Sequence, residues 1–276
     1  MLNNFVNYMR NEKSMSENTI YNYASDLTQF KNYIKKDLDR AERKDIENFI
    51  AHLKEQGMTA SSIHRKVAAI KSFYKFTVKK EYIKDNPALL IESGKLERKL
   101  PRPLSEDDIN RISNTARSLR DKTIIETLYG AGLRRSELIT LKKTSINWEK
   151  GVLHIKGKGR KERLVPLNGY ALSLLKLYCD SHDSEWVFPS PRGGHLSSRR
   201  LNEIIAEDAS KARIKGVTPH RFRHSFGTHL YAKGIDSKVL QDLMGHESIN
   251  TTAIYAKVCV DRNITEYNKY FKREAV

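Results

Sequence analysis

Apolar residues recur at helical spacing through the first third of the chain. Ile20, Tyr23, Leu27, Phe30 and Ile34 share one face of a helix that Ser16 would cap. A second helix is predicted over residues 44–56, stopped by Gly57. A third begins near Thr59 and places Ile63, Val67, Ile70 and Tyr74 on one face. Residues 92–104 break the pattern: Gly94, Pro101 and Pro103 stand among charged residues, and prolines on both sides of Arg102 favour extended backbone. Ser105 then opens a helix whose first turn carries Glu106, Asp107 and Asp108, as the helix dipole prefers. Another helix, rich in Ile124, Ile125 and Leu128, ends at Gly130, after which Arg134 opens the next. Residues 151–155 and 162–167, separated by the turn 157–161, alternate as a β-hairpin. Further helices are predicted over 172–178, 199–212, 221–232, 238–244 and 251–258. The fold class is therefore mainly α with a small β insert. Its domains are a helical bundle (1–93), a linker (94–104) and a larger domain (105–276).

A length of 276 residues suits two domains, and 39% hydrophobic residues can fill a core in each. The 50 Lys and Arg against 33 Asp and Glu leave a net charge of +17, which favours a polyanionic partner, usually nucleic acid. Residues 1–100 carry +6 of that charge and residues 101–276 carry +11, so both domains are expected to touch the same polyanion. No apolar run approaches the roughly 18 residues of a membrane span, and the first ten residues lack a secretory pattern. Cys179 and Cys259 are too few to staple a domain or build a zinc site, which fits a reducing, cytoplasmic setting. Membrane proteins, secreted scaffolds and zinc fingers are set aside.

Between residues 61 and 80 lie Arg65, Lys66, Lys71, Lys75, Lys79 and Lys80 with no acidic residue. Lys71, Lys75 and Lys79 form one stripe at i, i+4, i+8, where like charges repel by a few tenths of a kcal/mol per pair. A solvated face is the plain alternative. A stripe without acids is better suited to tracking a phosphate backbone, and Arg65, Lys66, Lys71, Lys75 and Lys79 are the candidate DNA contacts.

Four local signals carry chemistry. In YGAGLRRSEL (129–138), Glu137 stands three residues after Arg134 and can hold its guanidinium. In GKGRK (157–161), glycines flank Lys158 and let the turn approach DNA, with Arg160 and Lys161 beside it. In TPHRFRH (218–224), His220 and Arg223 share a helix face. A metal could pair His220 with His224, but two neighbouring arginines would repel it, so an anion site is preferred and no metal is assigned. In LMGHESINTTAIY (243–255), Tyr255 lies nine residues past His246. Singly, each is ordinary: a surface arginine, a mobile lysine, a rim tyrosine.

Together they are specific. Arg134, Lys158, His220, Arg223, His246 and Tyr255 occur in that order within GLRxSEL, GKGxKxR, HxxRH, GH and TTxxY patterns. From about residue 105 onward the chain resembles the tyrosine recombinase (phage integrase) family, and the helical N-terminal third is most similar to its Xer branch. Phe222 and Met244 stand where Leu is usual, both conservative apolar changes.

The resemblance implies that Tyr255 is the nucleophile and forms a 3′-phosphotyrosyl link. Arg134, Arg223, His220 and His246 would bind the phosphate, Lys158 would protonate the leaving 5′-oxygen, and Glu137 would play a supporting part. No cofactor is implied. The implied partners are double-stranded DNA, held in a C-shaped clamp, and further copies of the chain forming a tetramer on two sites. A partner recombinase or DNA translocase could also take part. The implied task is resolution of chromosome dimers at a dif-like site through a Holliday junction. The rivals are an integrase of a phage or mobile element, a type IB topoisomerase and a non-catalytic DNA-binding regulator. A terminal segment with Ile264, Tyr267, Tyr270 and Phe271 would either cap its own domain or dock on a neighbouring protomer.

Overall fold

In the computed structural model, which describes residues 1–92, 102–157 and 162–245, local capping chemistry sets the helix starts. Ser16 Oγ accepts from the Thr19 amide, Thr59 Oγ1 from Ser62 and Ser105 Oγ from Asp108, at 3.3, 3.3 and 3.0 Å. The chain divides into two compact units, Met1–Arg98 and Lys99–Val276.

The first unit packs α1 (Leu2–Asn11), α2 (Glu17–Ile34), α3 (Arg43–Glu55) and α4 (Ala60–Lys79) around one apolar core. The sequence reading did not single out α1, although Phe5 and Met9 sit one turn apart and are both fully buried. Phe5 meets Phe73 edge-on, with ring centroids 5.4 Å apart. Tyr74, also fully buried, satisfies its hydroxyl on the Leu38 carbonyl at 2.8 Å.

Of the candidate DNA contacts on α4, Lys66 is buried. Lys66 is 3% exposed, and its Nζ donates to Asp26 Oδ1 at 2.8 Å and to Gln29 Oε1 at 2.6 Å. Arg65 pairs with the same Asp26. Lys66 is thus part of the α2–α4 seam, and turning it out to a phosphate would break a buried ion pair at a cost of several kcal/mol. Lys75 and Lys79 are exposed and Lys71 partly so, with Lys79 Nζ lying 5.6 Å above the Tyr8 ring.

The second unit is built around α6 (Leu119–Ala131), where Ile124, Ile125, Leu128 and Ala131 are fully buried. Packed on it are α5 (Glu106–Asn114), α8 (Gly169–Asp180), α9 (Ser198–Lys211) and α10 (Pro219–Ala232). Two short helices, α7 (Arg135–Ile139) and α11 (Ser237–Met244), complete the helical part. The fold is mainly helical with one small antiparallel sheet, as the pattern predicts. That sheet has a further strand: β1 (Ile146–Asn147) pairs with β2 (Val152–Lys156), which pairs with β3 (Glu162–Pro166).

Two boundaries move. The helix expected to stop at Gly130 continues to Ala131, and Gly132 ends it with φ +57°. A Cβ at Gly132 would lie 2.3 Å from Phe226 Cδ1. The expected linker also ends earlier, since Leu104 is fully buried and its amide donates to Ser225 Oγ on α10 at 2.8 Å. Among the described residues, no helix is long and apolar enough to cross a membrane.

Candidate active site

Glu137 is the hub of the candidate site. It occupies the third position of α7, where Oε2 accepts from the Arg134 backbone amide at 2.7 Å, as a capping residue does. Its Oε1 accepts from Arg134 Nη1 at 2.7 Å. Arg163, on β3, adds a bidentate pair, Nη1 to Oε1 at 2.8 Å and Nη2 to Oε2 at 2.7 Å. Arg223, from α10, brings Nη1 to 3.9 Å of Oε2. The carboxylate side chain is only 4% exposed. Burial alone would raise its pKa, but the hydrogen bonds from Arg163 and the Arg134 amide outweigh burial and hold it at about 2.

The same three guanidiniums meet the C-terminal end of α11. Arg163 Nε donates to the Leu243 carbonyl at 2.8 Å, Arg223 Nη2 to Met244, and Arg134 Nη2 to Gly245 at 2.6 Å. The last carbonyls of a helix are left over by the intrahelical ladder, and the negative end of the helix dipole favours cations there. Arg223 also donates to the Gly132 carbonyl at 2.7 Å, so the turn after α6 is tied to the same centre. Gly245 takes φ +59° and a Cβ there would lie 3.1 Å from Arg163 Cδ, which makes glycine the fitting residue.

His220 stands in the first turn of α10, which Thr218 caps with Pro219 following. It is exposed and lines a shallow cavity with Arg102, Gly216, Thr218, Arg221 and His224. Surrounding protein and the Arg223 charge hold its imidazole below the ordinary histidine range, so it is neutral at pH 7. His224 lines the same cavity but is only 4% exposed.

The structure therefore brings Arg134, Glu137 and Arg223 into one centre, with His220 within electrostatic reach of Arg223. Lys158, Arg160, Lys161, His246 and Tyr255 lie outside the described residues, as does the terminal segment with Tyr267 and Phe271. Arg163 closes the GKGxKxR pattern, which by itself assigns it no role. It shares strand parity with Val165 and Leu167, both buried, and an arginine at such an inward position is the sequence signal that could have found it.

Three guanidiniums around one carboxylate leave two positive charges in excess. Such a centre can bind an oxyanion and stabilise charge that grows on it.

Comparisons with known proteins bear on the family and the fold. A model described as the phage integrase family matches residues 102–262, and one described as the phage integrase N-terminal SAM-like domain matches residues 2–81. A protein of Oceanobacillus iheyensis named tyrosine recombinase XerD is 35% identical over 99% of this chain and 98% of its own. Among solved structures, the Tn1549 transposon integrase in complex with transposon right end DNA superimposes with a TM-score of 0.79. It is 18% identical and covers 96% of this chain and 97% of its own. The XerH site-specific recombinase bound to palindromic difH substrate, a post-cleavage complex, gives a TM-score of 0.76. Its identity is 24%, covering 90% of this chain and 79% of that one.

Proposed function

Because the chain belongs to the phage integrase family and is a tyrosine recombinase, we propose that it cleaves and rejoins duplex DNA at a specific site through a 3′-phosphotyrosyl intermediate on Tyr255. The observation that carries this reading is the convergence of Arg134 and Arg223 on Glu137 and on the carbonyls of Met244 and Gly245, directly before His246. Ionising a phenol of pKa about 10 at pH 7 costs roughly 4 kcal/mol. Cationic donors aimed at the phosphate offset that cost and stabilise the pentavalent transition state.

The Tyr255 oxygen attacks the scissile phosphorus and the bond to the 5′-oxygen breaks. Arg134 and Arg223 bind the non-bridging oxygens, with His220 and His246 adding hydrogen bonds. Lys158 protonates the departing 5′-oxygen. The phenolic proton leaves as the oxygen attacks, and an unprotonated imidazole beside the phosphate, such as that of His220, accepts it. The phosphodiester energy is kept in the enzyme–DNA link, so religation needs no cofactor.

The biological setting is Xer-type: four protomers on two dif-like sites, exchanging strands through a Holliday junction in the cytoplasm to resolve chromosome dimers. XerD relatives that match along nearly the whole chain support this setting. The duplex tracks Lys71, Lys75 and Lys79 of the first unit as well as Arg160 and Lys161.

Incubation with end-labelled, nicked dif-type duplex tests the reading. A denaturation-resistant protein–DNA adduct is expected. Salt-sensitive binding without an adduct would make the protein a regulator, and relaxation of plasmids lacking paired sites would make it a topoisomerase.

A further inference from the structure

Arg163 uses its guanidinium in three directions at once. Two nitrogens grip both oxygens of Glu137, and Nε reaches the Leu243 carbonyl, 80 positions further along the chain. Its side chain is 10% exposed, against 38% for Arg134, so Arg163 is the buried anchor and Arg134 the accessible arm. Glu137 can orient Arg134 only while its own carboxylate is fixed. Besides the Arg134 side chain that it orients and Arg223 at 3.9 Å, that carboxylate is held by the Arg134 amide and by the bidentate grip of Arg163. The same side chain holds the end of α11 against β3, at the turn where Met244 and Gly245 offer their carbonyls to Arg223 and Arg134.

We propose that Arg163 is a positioning residue for strand cleavage: through Glu137 and the 243–245 turn it sets Arg134 and Arg223 to face one phosphate. This inference rests on the recombinase reading above. Lysine keeps the charge of arginine but cannot make a planar, bidentate grip together with a third bond. A purely structural arginine would affect cleavage only in proportion to lost folding. A positioning arginine affects cleavage in the folded protein, since a misplacement of about 1 Å can cost about a hundredfold in rate.

The test compares wild type, Arg163→Lys, Arg163→Ala, Arg134→Lys and the double variant Arg163→Lys/Arg134→Lys. Duplex affinity, thermal midpoint and single-turnover adduct formation are measured 20 °C below the lowest midpoint. Arg163→Lys is expected to bind duplex within about twofold of wild type while its adduct rate falls about ten- to a hundredfold. The double variant should be slower than Arg134→Lys by less than that factor, because part of the effect of Arg163 acts through Arg134 and only the part through Arg223 is left. Should Arg163→Ala not fold, Arg163→Lys and the double variant carry the test.

Wild-type cleavage rates in Arg163→Lys overturn the inference, and so does a double-variant loss equal to the product of the single losses. If wild type itself forms no adduct, the recombinase reading fails instead.

Discussion

Arg134 Nη2 donates a 2.6 Å hydrogen bond to the carbonyl of Gly245, the residue directly before His246. Two motif segments 111 positions apart are joined by that bond. With Arg163 on Leu243 and Arg223 on Met244, three successive carbonyls each hold one guanidinium. The arginines are thereby held by the protein itself, and in the proposed reaction little reorganisation would be left for the moment of cleavage.

Glu137 ties acid stability to this centre. Its pKa is about 2 in the folded chain and near 4.5 in an ordinary environment. A depressed carboxyl contributes stability that is present above the unfolded value and lost as pH falls toward the folded one. The contribution is about 3 kcal/mol at neutral pH, lost between about pH 5 and 2. Glu137→Gln should therefore lose about 3 kcal/mol at pH 7, with its gap from wild type closing near pH 2–3. Urea unfolding followed by fluorescence reads this directly, because both tryptophans, Trp148 and Trp186, lie in the second unit. Equal stabilities at pH 7 would contradict it.

Gly132 should tolerate no side chain. Alanine there would combine φ +57° with a Cβ 2.3 Å from the Phe226 ring, costing about 2–5 kcal/mol. Gly216 has a similar φ of +68° but its nearest neighbour, Arg221 Nη1, is 3.9 Å away, so Gly216→Ala should cost only about 1 kcal/mol. Unfolding midpoints of the two variants check the order, and similar losses would sink the steric account.

The lysines of α4 divide into two kinds. Lys71→Ala and Lys75→Ala should each reduce the slope of log K against log salt by about 0.9 on any duplex. Lys66→Ala should leave that slope unchanged while destabilising the first unit by about 3 kcal/mol, because Asp26 loses a buried partner. Filter binding between 50 and 200 mM salt, as a rough working range, separates them. A slope reduced by Lys66→Ala, or untouched by the other two, would reverse the assignment.

What could be read from the sequence was what depends on near neighbours. The caps at Ser16, Thr59 and Ser105, and the Arg134–Glu137 pair, act across three residues and are visible as spacing. What was missed depends on partners far along the chain. Lys66 meets Asp26 across 40 positions, and Arg163 meets Leu243 across 80. Gly130 looked like a helix stop, yet it lies inside α6, where a Cβ would come within 3.1 Å of Asn168 and 3.2 Å of Leu167. Its role is close approach, and only the tertiary contact distinguishes that from a turn.

The proposed role of this cationic centre is to serve attack by one tyrosine on a DNA phosphate. Peptide mapping of the nuclease-trimmed adduct tests it most directly. The account predicts a nucleotide joined through its 3′-phosphate to the peptide containing Tyr255, a free 5′-hydroxyl on the other strand end, and no adduct from Tyr255→Phe despite unchanged duplex binding. A link to another of the thirteen tyrosines, such as Tyr231 or Tyr267, a 5′-linked phosphate, or an adduct that persists in Tyr255→Phe would contradict it.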